Sequence, residues 1–390
     1  MRGRLRARGP RLAALREGRP PVRAAGRGRD AAGRPGEGPA RARLDAAHQL
    51  RAAGADDGGR GPGAGGVKIL VTGADGFVGR WLVRRLLDDG REVVGAVRPL
   101  ERPAPGGGGG WDLTPDERDA VRWLSLELTD QESVRRCAEQ AYDAVVHLAA
   151  VASGPEAARD PGYAWAVNAG GTARLVQVLA DGKAAGRGDP LVLVISTSEV
   201  YGCGAPPLGP RCETDPIAPC SPYAASKAGA ELAALEAWRR VGLRVVVARP
   251  FAHTGPGQDA RFVVPGLAQR LKLAQRTGAP VVKVGNLEPV REFLHVRDVV
   301  DAYVRLLGRG QPGETYNVAS GQGLPLEELF FRLAGLVGVR AIPEADPDLM
   351  RRADIPHLVG DAGKLRAATG WAPRYALDDT LRDVLDAQAD

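Results

Sequence analysis

Long apolar runs, cysteine and aromatic residues are all scarce in this 390-residue chain. No run reaches the ~18 apolar residues that a membrane-spanning helix needs, so the sequence predicts no membrane span. Aromatic residues make up only 5% of the chain, whereas hydrophobic residues make up 44%. That hydrophobic share is enough for one large α/β domain or two smaller ones with a real core.

The chain has only four cysteines, Cys137, Cys203, Cys212 and Cys220, and none belongs to a Cys-x-x-Cys pair. No secretory signal precedes them, so we predict reduced thiols and a cytoplasmic location. The last three share one loop and could bind a metal ion. No histidine lies near them at ligand spacing, so no metal is predicted.

Serine, threonine and lysine are absent from residues 1–66, which hold 15 arginines and 6 acidic residues. An organelle presequence is rich in serine, which argues against a targeting role. Arg, Gly, Ala and Pro without apolar periodicity predict a disordered extension. A basic arm for nucleic acid and a start codon placed too early both stay open. The remainder carries a net charge of −3, because the chain totals +6 and this segment +9, so a nucleic-acid-binding face on the folded part is not expected.

Short runs rich in β-branched residues alternate with helical patterns from residue 67 onward. The runs that predict strands are VKILVT, EVVGAV, VRWLSLEL, DAVVHLAA, PLVLVIST and LRVVVARP. Alternating strands and helices indicate an α/β fold, a Rossmann-type doubly wound parallel sheet over residues 67–250. The alternation breaks down at about residue 251. Residues 251–390 are therefore predicted to form a smaller α/β part that binds the substrate.

The stretch TGADGFVG places Gly73, Gly76 and Gly79 between the first strand and the first helix. Glycines allow a tight turn and a close approach of the backbone to a pyrophosphate. The N-terminus of the following helix offers unpaired N–H groups and a positive dipole to the same anion. This context predicts a dinucleotide site, although a glycine-rich turn without a ligand would show the same spacing.

The second predicted strand ends in Val97 and Arg98, where an acidic residue would bind the ribose 2′-hydroxyl of NAD. A guanidinium group pairs with a 2′-phosphate, whereas a carboxylate repels it. We therefore favour NADP, or NADPH in its reduced form, over NAD. The alternative is that Arg98 is only a solvated loop residue.

The stretch SPYAASK begins a helix, with Ser221 predicted as its N-cap and Pro222 as its first residue, and the helix is predicted to run to Gly242. Tyr223 and Lys227 are four residues apart and share one face of that helix. An ammonium group beside a phenol favours phenolate, so Lys227 is expected to lower the pKa of Tyr223. The stretch ISTSEVYG, just upstream, brings hydroxyl groups to the edge of the sheet where α/β sites lie.

From Val67 onward the chain resembles the extended short-chain dehydrogenases/reductases, the NAD-dependent epimerase/dehydratase family. The matching stretches are VTGADGFVG, VVHLAA, STSEVYG, SPYAASK and RPFAHTGPGQ. The resemblance implies a catalytic triad of Thr197, Tyr223 and Lys227, with Glu199 as an additional acid/base group. The cofactor-binding residues that we predict are Gly73, Gly76, Phe77, Val78, Gly79, Arg98, Glu127, Leu128, Leu148, Ala149, Ala150, Tyr223, Lys227 and Pro250.

Stretches in the C-terminal part, among them GETYNVASG and DIPHLVGDAGKLRAATGW, resemble the GDP-sugar branch of this family. They resemble its 4-keto reductases more closely than its 4,6-dehydratases. The resemblance implies that Ser198, Arg291, Arg351 and Asp354 bind the substrate, with arginine suited to a diphosphate. Ala252 departs from the family pattern, which usually has asparagine at this position.

The sequence thus predicts an NADPH-dependent reductase of a GDP-bound keto sugar. A 4,6-dehydratase is the alternative enzyme, and a cofactor-bound sensor without turnover is an alternative from another class. The family also suggests a homodimer built on residues 163–182 and the Tyr–Lys helix. The small, Ala-rich face of residues 224–237 suits close helix packing, but it could equally pack within one chain. His253, His295 and Asp298 are predicted to be structural, because HVRD is typical of a capped helix start.

Overall fold

A parallel sheet forms the centre of the computed structural model, which describes residues 66–99, 112–203, 209–350 and 355–388. In chain order the strands are β1 (Lys68–Thr72), β2 (Glu92–Val97), β3 (Arg122–Ser125), β4 (Ala144–His147), β5 (Leu191–Ile195), β6 (Val245–Pro250), β7 (His253–Thr254), β8 (Val281–Val284), β9 (Val290–Arg291), β10 (Leu294–His295), β11 (Thr315–Val318), β12 (Leu324–Pro325), β13 (Ile342–Ala345) and β14 (His357–Leu358). Seven of them form the central sheet in the order β11-β6-β5-β4-β1-β2-β3.

Helices cover both faces of this sheet. In chain order they are α1 (Phe77–Asp88), α2 (Pro115–Asp119), α3 (Gln131–Ala138), α4 (Gly154–Arg159), α5 (Pro161–Trp165), α6 (Gly171–Ala184), α7 (Pro222–Val241), α8 (Val263–Thr277), α9 (Val296–Arg309), α10 (Leu326–Val337), α11 (Gly363–Thr369) and α12 (Leu377–Ala387). A π-helical turn spans Ala166–Gly170, and 3-10 turns span Ser198–Tyr201 and Pro347–Leu349. No helix in the described part of the chain is long and apolar enough to span a bilayer.

Alternating side chains of the strands feed two separate cores, one on each face of the sheet. Leu193 and Ile195 of β5 pack with α1 and α9, whereas Val192 and Val194 pack with α3, α6 and α7. Because both faces are covered, the strands read as continuous apolar runs rather than as alternating ones. The predicted doubly wound sheet is confirmed, and all of its strand pairs are parallel.

The C-terminal part has a core of its own but also completes the central sheet. Helices α8, α10 and α12 pack around Leu267, Phe330 and Leu381. The sheet has one strand more than the six predicted, because β11 pairs with β6 in parallel register, with Tyr316 opposite Ala248. The ETYNVAS stretch, assigned from sequence to the smaller part, thus supplies an edge strand of the main sheet.

Because all strands of the central sheet are parallel, their carboxyl ends lie along one edge of the sheet. The chain passes that edge after β1, β2, β3, β4, β5 and β6. Because parallel strands share one direction, the loops that follow them meet there. The residues predicted for cofactor binding and catalysis follow these same strands.

Candidate active site

The loop after β1 is shaped by its three glycines. Gly73 has φ 70°, and a Cβ atom there would lie 2.9 Å from the backbone nitrogen of Ala149. A Cβ atom on Gly79 would lie 2.8 Å from the carbonyl carbon of Ala74, so the first turn of α1 packs directly on the loop. Only glycine satisfies both close approaches.

Helix α1 begins at Phe77 with its N-terminus open towards this loop. Its N-cap, Gly76, is exposed and gives no side-chain hydrogen bond, and the first turn holds no acidic residue. The backbone N–H groups of the first turn, which include Val78, are therefore available to an anion. The glycine cradle and the open helix end fit a dinucleotide pyrophosphate.

The remaining predicted cofactor residues lie at the same carboxyl edge. Arg98 is exposed immediately after β2, and Leu148, Ala149 and Ala150 follow β4. Pro250 is the last residue of β6, and buried Leu128 packs beneath Gly171, the first residue of α6. These positions agree with a dinucleotide lying across the ends of β1, β2 and β4.

Glu127, predicted near the adenine, has its carboxylate engaged locally. Its Oε1 accepts hydrogen bonds from the Thr129 backbone N–H at 2.9 Å and from the Thr129 hydroxyl at 2.7 Å. The Glu127 N–H donates to the hydroxyl of Ser133 at 2.9 Å. The loop after β3 is thereby fixed in shape, and its carboxylate keeps accepting capacity for a ligand.

The Tyr–Lys helix begins and ends where its sequence predicts. The Ser221 hydroxyl accepts from the Ala224 N–H at 3.1 Å, and Pro222 is the first helical residue. The helix ends at Gly242, which has φ 68°. Tyr223 is half-buried and Lys227 is buried, and the two share the helix face that packs towards the sheet.

Thr197 follows β5 and joins the strand end to this helix. Its side chain accepts a hydrogen bond from the Glu199 N–H at 3.2 Å and so caps the 3-10 turn Ser198–Tyr201. The Thr197 hydroxyl also forms a hydrogen bond with the phenol of Tyr223. The structure therefore brings Thr197, Tyr223 and Lys227 together, with Glu199 near the phenol. Buried Ser196, just before them, has a hydroxyl without a partner among the described residues.

Burial dominates the electrostatics of this group. Burial, and after it the nearby Glu199 carboxylate, raises the pKa of the Tyr223 phenol above its ordinary value, while the Thr197 hydrogen bond lowers it. Burial lowers the pKa of the Lys227 ammonium to about 8, and the Glu231 carboxylate opposes that shift. The predicted net lowering of the Tyr223 pKa by Lys227 is therefore wrong for this structure, because loss of water and a nearby negative charge disfavour phenolate more strongly.

Asn168 was not identified from the sequence, although it braces the catalytic helix. It lies in the π-helical turn, and its side chain pairs with both the N–H and the C=O of Val151. Its Nδ2 donates to the Ser226 hydroxyl at 2.9 Å, and that hydroxyl donates to the C=O of Tyr223 at 2.8 Å. A π-helical turn inside a helix often marks a functional position, but only the backbone reveals it.

A second buried polar chain lies beneath the same edge. The His147 ring bonds the Thr72 hydroxyl at 2.8 Å through Nδ1 and the Thr172 hydroxyl at 3.1 Å through Nε2. Burial, and after it the charge of Lys227, lowers the pKa of His147 to about 3. The imidazole is therefore neutral and serves to join β1, β4 and α6.

The predicted substrate residues are only partly described. Ser198 is buried in the 3-10 turn, and half-buried Arg291 lies on β9 between β12 and β14. Buried Glu292 fixes this region, because its carboxylate accepts from the Gly360 N–H at 2.6 Å and from the Ser320 hydroxyl at 2.7 Å. Arg351 and Asp354 lie outside the described residues, as does the extension before residue 66.

Helix α9 starts at HVRD as expected, and the three polar residues make structural contacts. The His295 side chain accepts from the Arg297 N–H at 3.0 Å and caps the helix. Asp298 accepts backbone N–H bonds from Arg374 at 3.0 Å and Tyr375 at 3.1 Å. His253 bonds the C=O of Phe251 through Nδ1 at 2.9 Å.

The prediction that all cysteines are reduced is wrong for one pair. Cys203 and Cys220 form a disulfide with their Cα atoms 6.0 Å apart, while Cys137 and Cys212 are free. The turn after β5 and the start of α7 meet at one sheet edge, which joins cysteines that lie 17 residues apart. The cytoplasmic location, which rested partly on reduced thiols, stays a prediction.

Comparison with known proteins agrees with this geometry. The model of the NAD dependent epimerase/dehydratase family matches residues 69–319. The chain is 36% identical to the GDP-6-deoxy-D-mannose reductase of Pseudomonas aeruginosa over 319 residues, which covers 82% of this chain and 96% of the relative. It is 32% identical to a dTDP-glucose 4,6-dehydratase of Streptomyces antibioticus, covering 82% of this chain and 92% of the relative.

The fold is also that of a solved relative. The structure of RMD from Pseudomonas aeruginosa complexed with NADPH aligns with a TM-score of 0.67 and 35% identity, covering 82% of this chain and 98% of the other. The comparisons support binding of a nicotinamide cofactor, and the glycine cradle, the open end of α1 and the Thr–Tyr–Lys group are the residues that we predict for it. The chain belongs to the NAD-dependent epimerase/dehydratase family and is an NAD(P)-dependent oxidoreductase of the extended short-chain dehydrogenase/reductase type.

Proposed function

We propose that this protein is an NADPH-dependent reductase that converts the C4 keto group of GDP-4-keto-6-deoxy-D-mannose to the alcohol of GDP-D-rhamnose. Its likeness to a GDP-6-deoxy-D-mannose reductase supports the substrate class. The single observation that carries the direction of the reaction is this likeness, which reaches 36% identity over 82% of the chain. In this proposal the Tyr223 phenol, which its raised pKa keeps protonated at neutral pH, is the proton donor that reduction of a ketone requires.

The chemistry that NADPH supplies when bound is hydride transfer to the C4 carbonyl carbon. Tyr223 donates its phenolic proton to the oxygen at C4 as negative charge develops there. Thr197, which hydrogen-bonds the phenol, orients the same oxygen. Lys227, buried on the same helix face, provides the positive charge that stabilises the tyrosinate left behind and holds the nicotinamide ribose.

A GDP-mannose 4,6-dehydratase is the second candidate, and Glu199 favours it. Its carboxylate lies near the Tyr223 phenol and could serve the elimination of water across C5–C6. A dehydratase must first oxidise the C4 alcohol, however, and that step needs a tyrosine able to accept a proton. The likeness to a GDP-6-deoxy-D-mannose reductase supports the reductase over this alternative.

One pair of incubations distinguishes the two candidates. Purified protein with GDP-4-keto-6-deoxymannose and NADPH is expected to oxidise the cofactor and form the 4-hydroxy sugar. Protein with GDP-mannose and NADP is expected to form no keto sugar. Keto-sugar formation in the second mixture, without net change of the cofactor, would overturn the proposal in favour of the dehydratase.

Variants test the residues assigned to the reaction. Tyr223→Phe and Lys227→Met are expected to lower kcat by about 100- to 10,000-fold while NADPH still binds, because general acid catalysis is worth about that much. Tyr375→Phe is the matched control, since its hydroxyl accepts from Arg297 at 3.2 Å in the C-terminal part and is expected to leave kcat unchanged. Full activity in Tyr223→Phe would reject the assignment.

We further propose that the protein forms a homodimer through an apolar groove on α7. The groove has a volume of about 590 Å³ and is lined by Trp165, Ala169, Ala225, Gly229 and Leu232. Trp165 is 46% exposed and Leu232 is 63% exposed. Large exposed apolar side chains beside small ones suit close packing against the same face of a second copy.

A further inference from the structure

Glu231 and Arg249 form a buried ion pair at the back of the catalytic helix. Arg249, on β6, donates to both carboxylate oxygens of Glu231, through Nε at 2.9 Å and Nη2 at 2.7 Å. The side chains of Arg249 and Glu231 are only 5% and 2% exposed. Such a two-point, charge-assisted contact fixes the orientation of both groups.

The arginine also reaches the turn that carries Glu199. Its Nη1 donates to the Tyr201 hydroxyl at 3.0 Å, and Tyr201 in turn donates to the side-chain oxygen of Asn317 at 2.7 Å. Asn317 lies on β11, and Tyr201 ends the 3-10 turn Ser198–Tyr201. One guanidinium group thus joins α7, the 3-10 turn and the edge strand from the C-terminal part.

The contribution of the buried Glu231–Arg249 pair to the stability of the fold does not explain why it is there. Desolvating two charges costs about as much as their attraction returns, and an apolar pair of similar size is often as stable. The position of Glu231 gives another reason. Tyr223, Lys227 and Glu231 are spaced by four residues and lie along one face of α7.

Lys227 has few charged or titratable neighbours in the described part of the chain. His147 faces it from β4 and is neutral, Tyr223 and Glu231 share its helix, and Glu199 of the turn faces Tyr223. Among these groups, Glu231 is the one whose charge favours the Lys227 ammonium. A buried amine without such a partner tends to lose its proton.

We propose that Glu231 and Arg249 are positioning residues of the active site: the Glu231 carboxylate, one helical turn from Lys227, keeps that ammonium charged, and Arg249 fixes the orientation of Glu231. The inference rests on the proposed role of Tyr223 and Lys227 in reduction. The two residues carry opposite charges, so removing Glu231 and removing Arg249 are expected to shift the pKa of Lys227 in opposite directions.

The pH profile of kcat/KM tests this balance. Its alkaline limb is expected to follow the loss of the proton from Lys227, whose pKa is about 8. In Glu231→Gln the carboxylate is gone, so the limb is expected to move down by about 1 pH unit. In Arg249→Met the carboxylate is retained without its partner, so the limb is expected to move up. A purely structural pair would lower activity equally at every pH in both variants.

Two further variants keep the test decisive. Asp301→Asn is the matched control. Asp301 lies on α9, across the sheet from α7, and pairs with Arg85 of α1 and Arg305 of α9, so its loss is expected to leave the limb unchanged. If a single variant fails to fold, the double variant Glu231→Met with Arg249→Met is expected to fold. Its limb is expected to move down, because the carboxylate is absent. An unmoved limb in the double variant, or an equal shift in Asp301→Asn, would overturn the inference.

Binding of NADPH separates this inference from the proposed function. The dissociation constant, followed against pH by tryptophan fluorescence, is expected to show the same opposite shifts, because Lys227 holds the ribose. If those shifts appear but the wild-type protein does not reduce the keto sugar, the proposed function fails and the inference stands. If the protein reduces the sugar and both variants keep the wild-type pH dependence, the inference alone fails.

Discussion

Phe77, the first residue of the helix that follows the glycine loop, stacks on His253, with ring centroids 6.3 Å apart and planes 8° from parallel. The same helix is held further along, where Trp81 donates to the C=O of Pro256 at 3.1 Å. The segment after β6 therefore braces the open end of α1, at which the pyrophosphate is expected to bind.

Loss of this brace should weaken cofactor binding. In His253→Ala the first turn of α1 loses its stacking partner. We expect the dissociation constant of NADPH to rise about 2- to 10-fold, because the free energy of one aromatic pair corresponds to a change of that size. Isothermal titration measures the change. His253→Phe retains a ring and should bind as the wild type does, whereas equal weakening in both variants would contradict the stacking argument.

The cofactor preference should depend on Arg98. In Arg98→Asp the exposed guanidinium after β2 becomes a carboxylate, which repels a 2′-phosphate and can accept from a ribose 2′-hydroxyl. We expect the ratio of kcat/KM for NADPH over NADH to fall by about 10- to 100-fold, the worth of a charged hydrogen bond. Arg91→Asp, an exposed change before β2, is the control. An unaltered ratio in Arg98→Asp would show that Arg98 is only solvated.

The dimer should be broken by a charge in the groove on α7. Leu232→Glu would bury an unpaired carboxylate between two copies, which is costly enough to separate them. Sedimentation velocity is expected to show a dimer for the wild type and a monomer for this variant. Leu273→Glu, at a side chain 51% exposed on α8, should remain dimeric. A monomeric wild type would exclude the interface altogether.

Removing the disulfide should destabilise the fold without touching the catalytic group. The bond closes a segment with a sequence separation of 17, and replacing both cysteines by serine should cost about 3 kcal/mol in the free energy of unfolding. Chemical unfolding with and without reductant measures this. The wild type should lose stability in reductant, while the double variant should not respond. Cys212→Ser should respond as the wild type does, and a wild type indifferent to reductant would contradict the bond.

Acid should unfold the protein partly through His147. Its pKa is about 3 in the folded protein, below the value near ~6.5 of an unfolded chain, so unfolding takes up a proton between these values. Stability is then fully present above about pH 6.5 and is lost as the pH falls towards the folded pKa. In His147→Gln the proton uptake on unfolding should fall by about one, measured from urea unfolding at several pH values. An unchanged slope would refute this assignment.

Local signals in the sequence predicted the parts of the site that are local in the chain. The Ser221–Pro222 start, the Gly242 end and the three glycines of the first loop follow from caps and turns, which need only a few neighbouring residues. The strands β1 to β6 were predicted for the same reason, since each is a short apolar run that is recognisable from its own residues. Their ends differ from the observed ones by at most three residues, because pairing with neighbours decides where a strand stops.

The features that sequence reasoning missed are contacts between distant segments. Arg249 and Glu231 are 18 residues apart, and Asn168 and Ser226 are 58 apart. No spacing rule marks such pairs, because each depends on which strand ends lie side by side. The effect of burial on Tyr223 was missed likewise, since a helical spacing shows that Lys227 is near but not how much water both have lost.

The position of β11 at the edge of the central sheet limits where this chain can be recombined with a relative. A fragment cut after Pro250 would leave β6 as a bare sheet margin, and Arg249 would lose the hydrogen-bonded link through Tyr201 to Asn317. A chimera designed to change the sugar should therefore take residues 315–318 from the same parent as residues 67–250. Otherwise the pairing of β11 with β6, and the contacts of Asn317 near the catalytic helix, would join residues of two different proteins.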